Sequence, residues 1–418
     1  MIDLESEQNI GPQGLASVTL TLRWTDGRAR HEDHLHFEKF SVFHAQDSFP
    51  DGLAEHIRDM QEGESISARF AAGEITGIWD PSLSLVTSPS AFDRHFLRGL
   101  EIHPHSGRFY PRGFFHDTGG IVRQQTVPAR ITALDGERMS IDLNHPLSCY
   151  DLMVELHIDQ LLNDPDLGAG RTSNCLDQLF FSAGLKAKLS SGEFIDFGDD
   201  DNGMGRLDPC SDDLFYQQPR FVQHLDRTAL QTVNELYRRL IDDESDVLDL
   251  MASHDSHIEG ISLRSLHVLG MNDDELSSNK LAATFTVHDL NHEQELPYIN
   301  ECLDAVICTA SVEYLTDPLA VFAEVKRVLR PTGVFIITFS NRWFPTKAIR
   351  IWKELHEFER VGMICQWMEK SGFTGLHTFS SHGMPRPEDD PYINEMQLSD
   401  PVHAVWGTKQ DHSTSSKR

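Results

Sequence analysis

Basic residues are scarce in this chain, where 36 lysines and arginines stand against 65 aspartates and glutamates in 418 residues. The formal net charge of −29 argues against a general nucleic-acid partner, because contact with phosphates needs a positive surface. Long apolar runs are absent too, and the longest clear one, residues 334–339, suits a buried strand rather than a membrane span. We therefore expect no nucleic-acid partner and no membrane partner.

Cysteine is also rare, and the six cysteines form no CxxC pair. Reduced thiols are the simplest interpretation of this pattern. The first residues have neither the basic region nor the apolar core of a secretory signal. Together these features predict a cytoplasmic protein. A hydrophobic content of 39% suits buried cores, and the length predicts more than one domain.

The residue pattern divides the chain into unequal parts. Residues 15–159 are predicted to be rich in β-strands, because apolar and polar residues alternate and turn residues separate the runs. Residues 160–209 are rich in Gly, Asp and Ser and are predicted to be an acidic linker region. Residues 210–408 alternate between strand and helix patterns, and residues 409–418 are predicted to be a disordered tail.

Three short apolar runs between residues 246 and 290 each end in a polar residue. They are spaced like the strands of βα units, and the residues at their ends are Asp249, Asn272 and Asp289. In an open parallel sheet, small ligands bind beyond the carboxyl ends of the strands, near the first crossover. We therefore expect these three side chains to face a ligand.

A strand at residues 302–308, a helix beginning at Asp317 and Pro318, and a strand at residues 334–339 follow these runs. The whole arrangement resembles a class I S-adenosylmethionine-dependent methyltransferase, over about residues 215–406. The resemblance implies a doubly wound, Rossmann-like α/β domain with S-adenosylmethionine as its cofactor. The cofactor-binding residues that it implies are Asp249, Met251, Ala252, Ser253, Met271, Asn272, Asp289, Leu290 and Thr309.

The groups of the cofactor suggest a role for each strand end. In this interpretation Asp249 accepts a hydrogen bond from the amino group, and Asn272 bonds the ribose hydroxyls. Asp289 takes the adenine amino group while Leu290 covers the ring, and Thr309 lies beneath the methionine portion. The alternative is structural: the first carboxylate caps the next helix, the amide forms an Asx turn, and the second carboxylate is solvated.

The loop after the first of these strands lacks the glycines that the family carries, and reads Met-Ala-Ser-His-Asp-Ser over residues 251–256. Glycine allows positive φ and lets the backbone approach a ligand closely. Ala252 and Ser253 are small enough for close approach, but a left-handed backbone at either residue costs free energy. A degenerate domain that does not bind the cofactor is therefore the alternative.

Methyl transfer needs no nucleophile from the enzyme, since alignment of acceptor, methyl carbon and sulfur supplies most of the rate. The catalytic residues and the methyl acceptor are therefore left unassigned. The candidates for a general base are His224, His254, Asp255, Tyr314 and His382. The candidates for clamping an anionic acceptor are Arg220, Arg342 and Arg386, for which surface ion pairs are the alternative.

Five segments of the N-terminal part, residues 24–27, 49–55, 60–66, 75–80 and 144–152, carry a second resemblance. The strongest of them is Asn-His-Pro-Leu before a final strand. These segments resemble the SlyD-like branch of the FKBP-type peptidyl-prolyl isomerases. The resemblance implies an α+β module with an inserted flap and a polypeptide partner. The groove residues that it implies are Phe49, Leu53, Trp79 and Phe92.

Two aromatic positions of that family are occupied here by Thr76 and Val154. Docking of a polypeptide needs only apolar walls, whereas lowering the imide barrier needs a tight pocket. We therefore expect a chain ending near residue 159 to fold alone, to bind polypeptides and to isomerise prolyl peptides weakly. The alternative is that the groove residues are simply core residues.

Three histidines, His31, His34 and His36, lie close together in the N-terminal part. Imidazole binds zinc, nickel and copper, but strand alternation puts His34 and His36 on one face and His31 on the other. No cysteine or carboxylate spacing completes a ligand set. We therefore interpret them as exposed loop histidines and expect no metal site.

The sequence thus predicts a multidomain cytoplasmic fusion of an FKBP-type module, a linker region and a class I methyltransferase domain. The predicted function is S-adenosylmethionine-dependent methylation, with the first module acting as a prolyl isomerase or polypeptide holder. The alternative is a folding helper whose methyltransferase-like domain is degenerate and non-catalytic.

Overall fold

Two β-sheets form the framework of the protein in the computed structural model. The residues that it describes are 15–41, 53, 56–99, 101–116, 118–162, 175–198 and 202–410. One sheet has eleven strands and the other has four. Within these described ranges, no helix is both long and apolar enough to cross a membrane.

The N-terminal half contributes eight strands. They are β1 (Leu15–Thr25), β2 (Ala29–Ser41), β3 (Ser65–Phe70), β4 (Ser84–Thr87), β5 (Phe109–Pro111), β6 (Pro128–Leu134), β7 (Met139–Asp142) and β8 (Leu152–Leu162). The antiparallel order β2-β1-β8-β3 forms one end of the large sheet, and β4-β7-β6-β5 forms the small sheet. The small sheet is an insertion between the paired strands β3 and β8. An inserted segment agrees with the prediction, but this arrangement does not establish the isomerase family.

The described part of the predicted linker region, residues 160–162, 175–198 and 202–209, packs against the rest of the molecule. This region contains helix α1 (Cys175–Gly184), whose Phe180 packs into the core that β1 and β8 share. Lys186 is fully buried and forms an ion pair with Asp33 of β2. An apolar helix and a buried ion pair therefore anchor the described residues of this region to the rest of the molecule.

The C-terminal half contributes the remaining strands and helices. The helices are α2 (Asp212–Tyr216), α3 (Arg227–Leu240), α4 (Asp273–Ser278), α5 (Pro318–Val328), α6 (Arg350–Glu354) and α7 (Glu357–Lys370). The strands are β9 (Asp246–Leu250), β10 (Ser265–Gly270), β11 (Thr284–Val287), β12 (Leu303–Thr309), β13 (Leu329–Phe339), β14 (Phe373–His382) and β15 (Val402–Lys409).

The strand order of this half is β11-β10-β9-β12-β13-β15-β14. The first five strands in this order are parallel, and β15 is antiparallel to both of its neighbours. The chain reverses its direction across the sheet between β9 and β12, which is the switch point of a doubly wound sheet. The predicted α/β domain is therefore confirmed.

Helix α5 begins as the sequence predicts. Asp317 accepts a hydrogen bond from the N–H of Ala320 at 3.1 Å, and Pro318 occupies the first turn, where its missing N–H costs nothing. The following strand differs from the prediction, because β13 begins at Leu329 rather than Val334. Its first residue, Leu329, pairs with Leu303 of β12, and the register then shifts before Val334 pairs with Ala305.

The C-terminal sheet is covered on both faces. Along β13, Phe335 and Ile337 belong to the apolar core that contains α5 and α7 residues, whereas Ile336 belongs to the core that contains α3 residues. Alternate residues of one strand are therefore buried in opposite layers, as in sheets with helices on both sides. This double layer explains the nearly continuous apolar runs in the sequence.

The two halves share one sheet, because β14 pairs in parallel with β2. The register runs from Leu376 opposite Ala29 to His382 opposite Leu35. The backbone hydrogen bonds of β2 are thus divided between β1 of its own half and β14 of the other half. The boundary predicted at residue 159 therefore does not separate two independent units.

The histidines of β2 are not exposed loop residues, which corrects the sequence interpretation. His31 is 2% exposed, stacks on Trp24 with ring centroids 4.1 Å apart, and hydrogen-bonds Thr378 of β14. His34 and His36 border a common cavity on the opposite face of the strand. The predicted alternation is confirmed, while the burial follows from the pairing of β2 with β14.

Candidate functional site

A cavity of about 570 Å³ opens at the carboxyl ends of the parallel strands, beside the switch point between β9 and β12. This volume lies in the range of small-molecule and cofactor sites. All of the predicted cofactor residues line this cavity. They are Asp249, Met251, Ala252, Ser253, Met271, Asn272, Asp289, Leu290 and Thr309. The structure therefore brings together residues that the sequence places as far apart as 60 positions.

Asp249 is the buried acid of the cavity. It lies in β9, with strands β10 and β12 on either side, and only 2% of it is exposed. Burial raises the pKa of this carboxyl to about 7, although Ser256 and His257 act in the opposite direction. Among the described residues, no arginine or lysine acts on this carboxyl, so a cationic ligand group would stabilise its ionised form.

The loop after β9 keeps a tight conformation without glycine. Met251 has φ of 60°, so the left-handed conformation is adopted by this residue and not by Ala252 or Ser253. The N–H of Ala252 donates to the carbonyl of Leu269 at 2.8 Å. A side chain at Gly270 would collide with the Ala252 carbonyl oxygen. The glycine that permits close approach is therefore on β10 rather than in the loop.

Asn272 does not have the free amide that the predicted ribose contact requires. Its Oδ1 accepts a hydrogen bond from the N–H of Glu275 at 3.1 Å and caps α4. Its Nδ2 donates to the carbonyl of Tyr216 at 2.8 Å and to that of Gln217 at 3.3 Å. Both amide hydrogens are used within the protein, so Asn272 has none left to donate to a ribose oxygen. Its role in the structure is to cap α4, which is a structural role.

Asp289 and Leu290 follow β11 at the far side of the cavity. Asp289 is half-buried, and its Oδ1 accepts a hydrogen bond from the N–H of Asn291 at 2.9 Å. Leu290 is buried and supplies an apolar wall. Asn291 ties this wall to α2 by donating to Asp212 at 2.9 Å. An acidic and an apolar side chain are thus adjacent. Adenine recognition would need such a pair, with the acid accepting from the adenine amino group and the apolar side chain contacting the ring.

Thr309 and Ala310 form part of the cavity lining at the end of β12. The Thr309 hydroxyl lies 2.7 Å from the hydroxyl of Tyr237, which holds it against α3. Ala310 has φ of 47° and donates its N–H to the carbonyl of Thr338. A second left-handed residue without glycine therefore lines the same cavity as Met251.

One wall of the cavity is aromatic and basic, and the sequence did not assign its aromatic residues to the site. Arg220 packs its guanidinium against the rings of Phe215, Tyr216 and Phe344 at 4.6, 5.7 and 5.3 Å. The segment before α3 and the turn after β13 supply these side chains. Both segments lie within residues 215–406, over which the sequence resembles the family. The spacing of residues alone could not show that the two segments meet. The wall residues that were missed include Tyr216, Val222, Asn291, Trp343, Phe344 and Pro345.

Four of the five candidate bases line this cavity, namely His224, His254, Asp255 and Tyr314. His382 does not, since it borders a different cavity. Burial first, and then Arg220, lowers the pKa of His224, which favours its neutral form. Burial raises the pKa of Tyr314 well above its usual value, so this phenol is a poor base near neutral pH.

The arginine candidates divide in the same way. Arg220 and Arg342 line the cavity, but Arg386 is buried elsewhere and pairs with Asp400 at 2.7 Å and Asp226 at 3.6 Å. Asp226 also caps α3, so the ion pairs of Arg386 fix the entry to that helix. The prediction that Arg386 clamps an acceptor is therefore wrong.

The predicted polypeptide groove is not assembled by the described residues. Leu53 is buried in the core with β1 and β8, whereas Phe92 is buried in the separate core of the inserted sheet. Trp79 is 40% exposed and donates its Nε1 to Asp142 at 3.3 Å. Phe49 lies outside the described residues. The alternative interpretation as core residues therefore holds for Leu53 and Phe92 but not for Trp79.

Residues 261–337 match the sequence model of a family described as a methyltransferase domain. The matched segment spans β10 to β13 and includes most of the predicted cofactor residues. The C-terminal half therefore contains a segment similar to a methyltransferase domain, and this match supports S-adenosylmethionine as the cofactor. No curated protein sequence matches this chain.

Solved structures similar to this chain include three methyltransferases. One SAM-dependent methyltransferase from Thermotoga maritima is 14% identical, with a TM-score of 0.33, over 44% of this chain and 91% of that one. Another from Archaeoglobus fulgidus is 15% identical, with a TM-score of 0.32, over 43% and 94%. A third from Aquifex aeolicus is 12% identical, with a TM-score of 0.30, over 44% and 91%. Identities and scores this low do not identify a substrate.

Proposed function

We propose that the C-terminal half transfers a methyl group from S-adenosylmethionine to an acceptor bound at the Arg220 wall. The observation that carries this proposal is that all nine residues implied by the resemblance line one cavity at the switch point of the sheet. The cavity contains the acid Asp249, which has no arginine or lysine partner among the described residues. It also has an apolar wall and a second acid, so that these groups fit the amino group, the adenine ring and the adenine amino group in turn.

Asp249 holds the amino group of the cofactor, because no lysine or arginine in the described part of the chain neutralises it and burial strengthens a charge-assisted hydrogen bond. Asp289 and Leu290 hold the adenine. Thr309, with its hydroxyl fixed by Tyr237, lies under the methionine portion. The cofactor supplies a methyl group bonded to a positively charged sulfur, and these residues orient it toward the acceptor.

Arg220 and Arg342 provide positive charge at the acceptor side, which favours an acceptor with an anionic group. Arg220 is held in place by three aromatic rings. His224 packs edge-on against Phe344, with ring centroids 5.2 Å apart. The lowered pKa of His224 makes it the first choice for a base that accepts a proton from the acceptor.

Calorimetric titration of the full chain with S-adenosylhomocysteine tests the cofactor site. We expect wild-type binding in the micromolar range, about −8 kcal/mol. Asp249→Asn keeps the shape but removes the negative charge, and we expect it to weaken binding by about 1.5–3 kcal/mol. Asp246→Asn is the matched control, since Asp246 begins the same strand and forms its ion pairs with Arg264 and Arg330 outside the cavity.

The outcome also separates this proposal from its alternative. An absence of heat and of thermal stabilisation with millimolar ligand would favour the non-catalytic, degenerate domain. Equal loss of affinity in Asp249→Asn and Asp246→Asn would show that destabilisation, rather than a lost contact, explains the effect.

A second function, binding of unfolded polypeptide by the N-terminal half, is favoured by exposed apolar side chains on its inserted segment. Ile78 and Val86 are 82% and 69% exposed, and Trp79 and Leu83 are each 40% exposed. Large exposed apolar groups close together commonly mark an interaction surface. This is the polypeptide-holding role that the SlyD-like resemblance implies. We expect weak prolyl isomerisation, because the predicted groove residues lie in separate cores.

Fluorescence anisotropy with a reduced, permanently unfolded model protein tests this second function. We expect Ile78→Ser to weaken binding and Leu207→Ser to leave it unchanged, because Leu207 is 73% exposed but lies outside the inserted segment. Equal binding by both variants would rule out the inserted segment as the binding surface. Prolyl isomerisation as fast as that of an active isomerase would show that the groove was assigned to the wrong residues.

A further inference from the structure

Three side chains that commonly bind metals meet on the C-terminal side of the junction with β2. They are Glu357 at the start of α7, His382 at the end of β14 and His403 in β15. One ligand atom from each lies within 4.8 Å of the others. The three elements place them independently, so no single turn or helix face accounts for the cluster.

The distances in this cluster suit ligands of a common ion better than direct hydrogen bonds. The Nε2 atom of His403 lies 3.6 Å from Oε2 of Glu357, and Nδ1 of His382 lies 3.8 Å from Oε1. Both separations exceed the length of a hydrogen bond. Two ligands that each lie about 2.0–2.1 Å from one zinc ion are separated by no more than about 4.2 Å.

His403 has a buried nitrogen that the described residues leave without a hydrogen-bond partner. The side chain is fully buried, and its Nδ1 lies 3.1 Å from the hydroxyl of Ser380. Its Nε2, which faces Glu357, has no hydrogen-bond partner in the described part of the chain. Metal-binding histidines commonly use their second ring nitrogen in this way, with the hydroxyl fixing the ring. A ring of Phe339 stacks on the imidazole, with centroids 5.1 Å apart.

We propose that Glu357, His382 and His403 bind one divalent transition-metal ion, for which Zn²⁺ is the probe. Two imidazoles and a carboxylate match the donors that zinc accepts, and three protein ligands leave a coordination position open. His382 also borders the cavity of about 360 Å³ that contains His34 and His36, which gives the ion an access path. This site departs from the expectation of no metal.

Zinc titration of the full chain, after treatment with a chelator, tests the site. We expect wild type to bind one Zn²⁺ and to gain thermal stability with it. We expect His382→Gln and Glu357→Gln to weaken binding by at least ~100-fold, since loss of an outer-shell partner alone typically costs 10–100-fold. His377→Gln is the matched control, because His377 lies on the same strand but stacks on Trp406 outside the cluster.

Retention of zinc by both ligand variants, or an equal loss in His377→Gln, overturns the proposal. The Co²⁺ spectrum of the wild-type chain provides a test that does not depend on whether a variant folds. We expect visible d–d absorption without a thiolate charge-transfer band. A strong thiolate band would show that cysteines bind the ion, and no cobalt binding by wild type would overturn the proposal as well.

Discussion

At the residue scale, Asp249 shows how a fold changes the chemistry of a side chain. An aspartate in water is ionised at neutral pH, but burial in the middle of a parallel sheet raises the pKa of this one to about 7. No lysine or arginine acts on this carboxyl in the part of the chain that the structure describes, so under the proposed function a cationic ligand group would stabilise its ionised form.

Affinity for S-adenosylhomocysteine should therefore depend on pH through Asp249. Below about pH 7 the carboxyl of the free protein is protonated. Binding of the ligand's ammonium group must first release that proton, so the affinity for S-adenosylhomocysteine falls as pH falls. The fall is at most about tenfold per pH unit, and affinity levels off above about pH 7. Calorimetry across this range measures the effect. Asp249→Asn should remove this component, and an unchanged pH dependence in that variant would show that Asp249 is not its source.

At the element scale, the turn between β9 and the following loop shows how a glycine-free sequence can keep a tight bend. Met251 takes the left-handed conformation, and Gly270 on the neighbouring strand makes room for the Ala252 carbonyl. A left-handed residue other than glycine costs roughly 1–2 kcal/mol, which the surrounding strand pairing supplies. The strain is local, and the ladder between β9 and β10 is complete.

Replacement of Met251 separates backbone strain from side-chain packing. Met251→Ala and Met251→Gly both remove the side chain, but only glycine relieves the positive φ. We expect the glycine variant to be more stable than the alanine variant by about 1 kcal/mol, measured as the free energy of unfolding in urea. A more stable alanine variant would mean that the loop does not adopt this conformation in solution.

At the scale of the whole molecule, the two halves depend on each other. Strand β2 is paired with β1 on one side and with β14 on the other, and Asp33 of β2 is buried against Lys186. Arg28 also donates to the carbonyl of Lys186 at 2.8 Å. The N-terminal half therefore satisfies buried charge and strand hydrogen bonds with residues that follow its predicted boundary.

A chain ending at residue 159 should consequently not fold cooperatively, in contrast to the expectation from the sequence. It would leave Asp33 buried without its partner, which typically costs about 3–5 kcal/mol, and would expose the edge of β2. Circular dichroism during thermal unfolding measures this, with the full chain as the control. A sharp transition in the shortened chain would show that the N-terminal half is an independent unit after all.

The sequence by itself determined the α/β character of the C-terminal half, the start of α5 and the residues around the cavity. These features depend on local periodicity, on capping residues such as Asp317, and on the rule that strand ends meet at one edge of a parallel sheet. Asp249, Asp289 and Thr309 could be identified because each follows directly from its place on a strand.

Only the tertiary structure decided which side chains meet across large distances in the chain. The pairing of β2 with β14, the burial of Lys186 against Asp33 and the cluster of Glu357, His382 and His403 all join segments with no shared periodicity. The same is true of Asn272, whose amide looked free until Tyr216 was placed beside it. Hydrophobic patterns specify which face of an element is buried, but its partner depends on the packing of the whole chain.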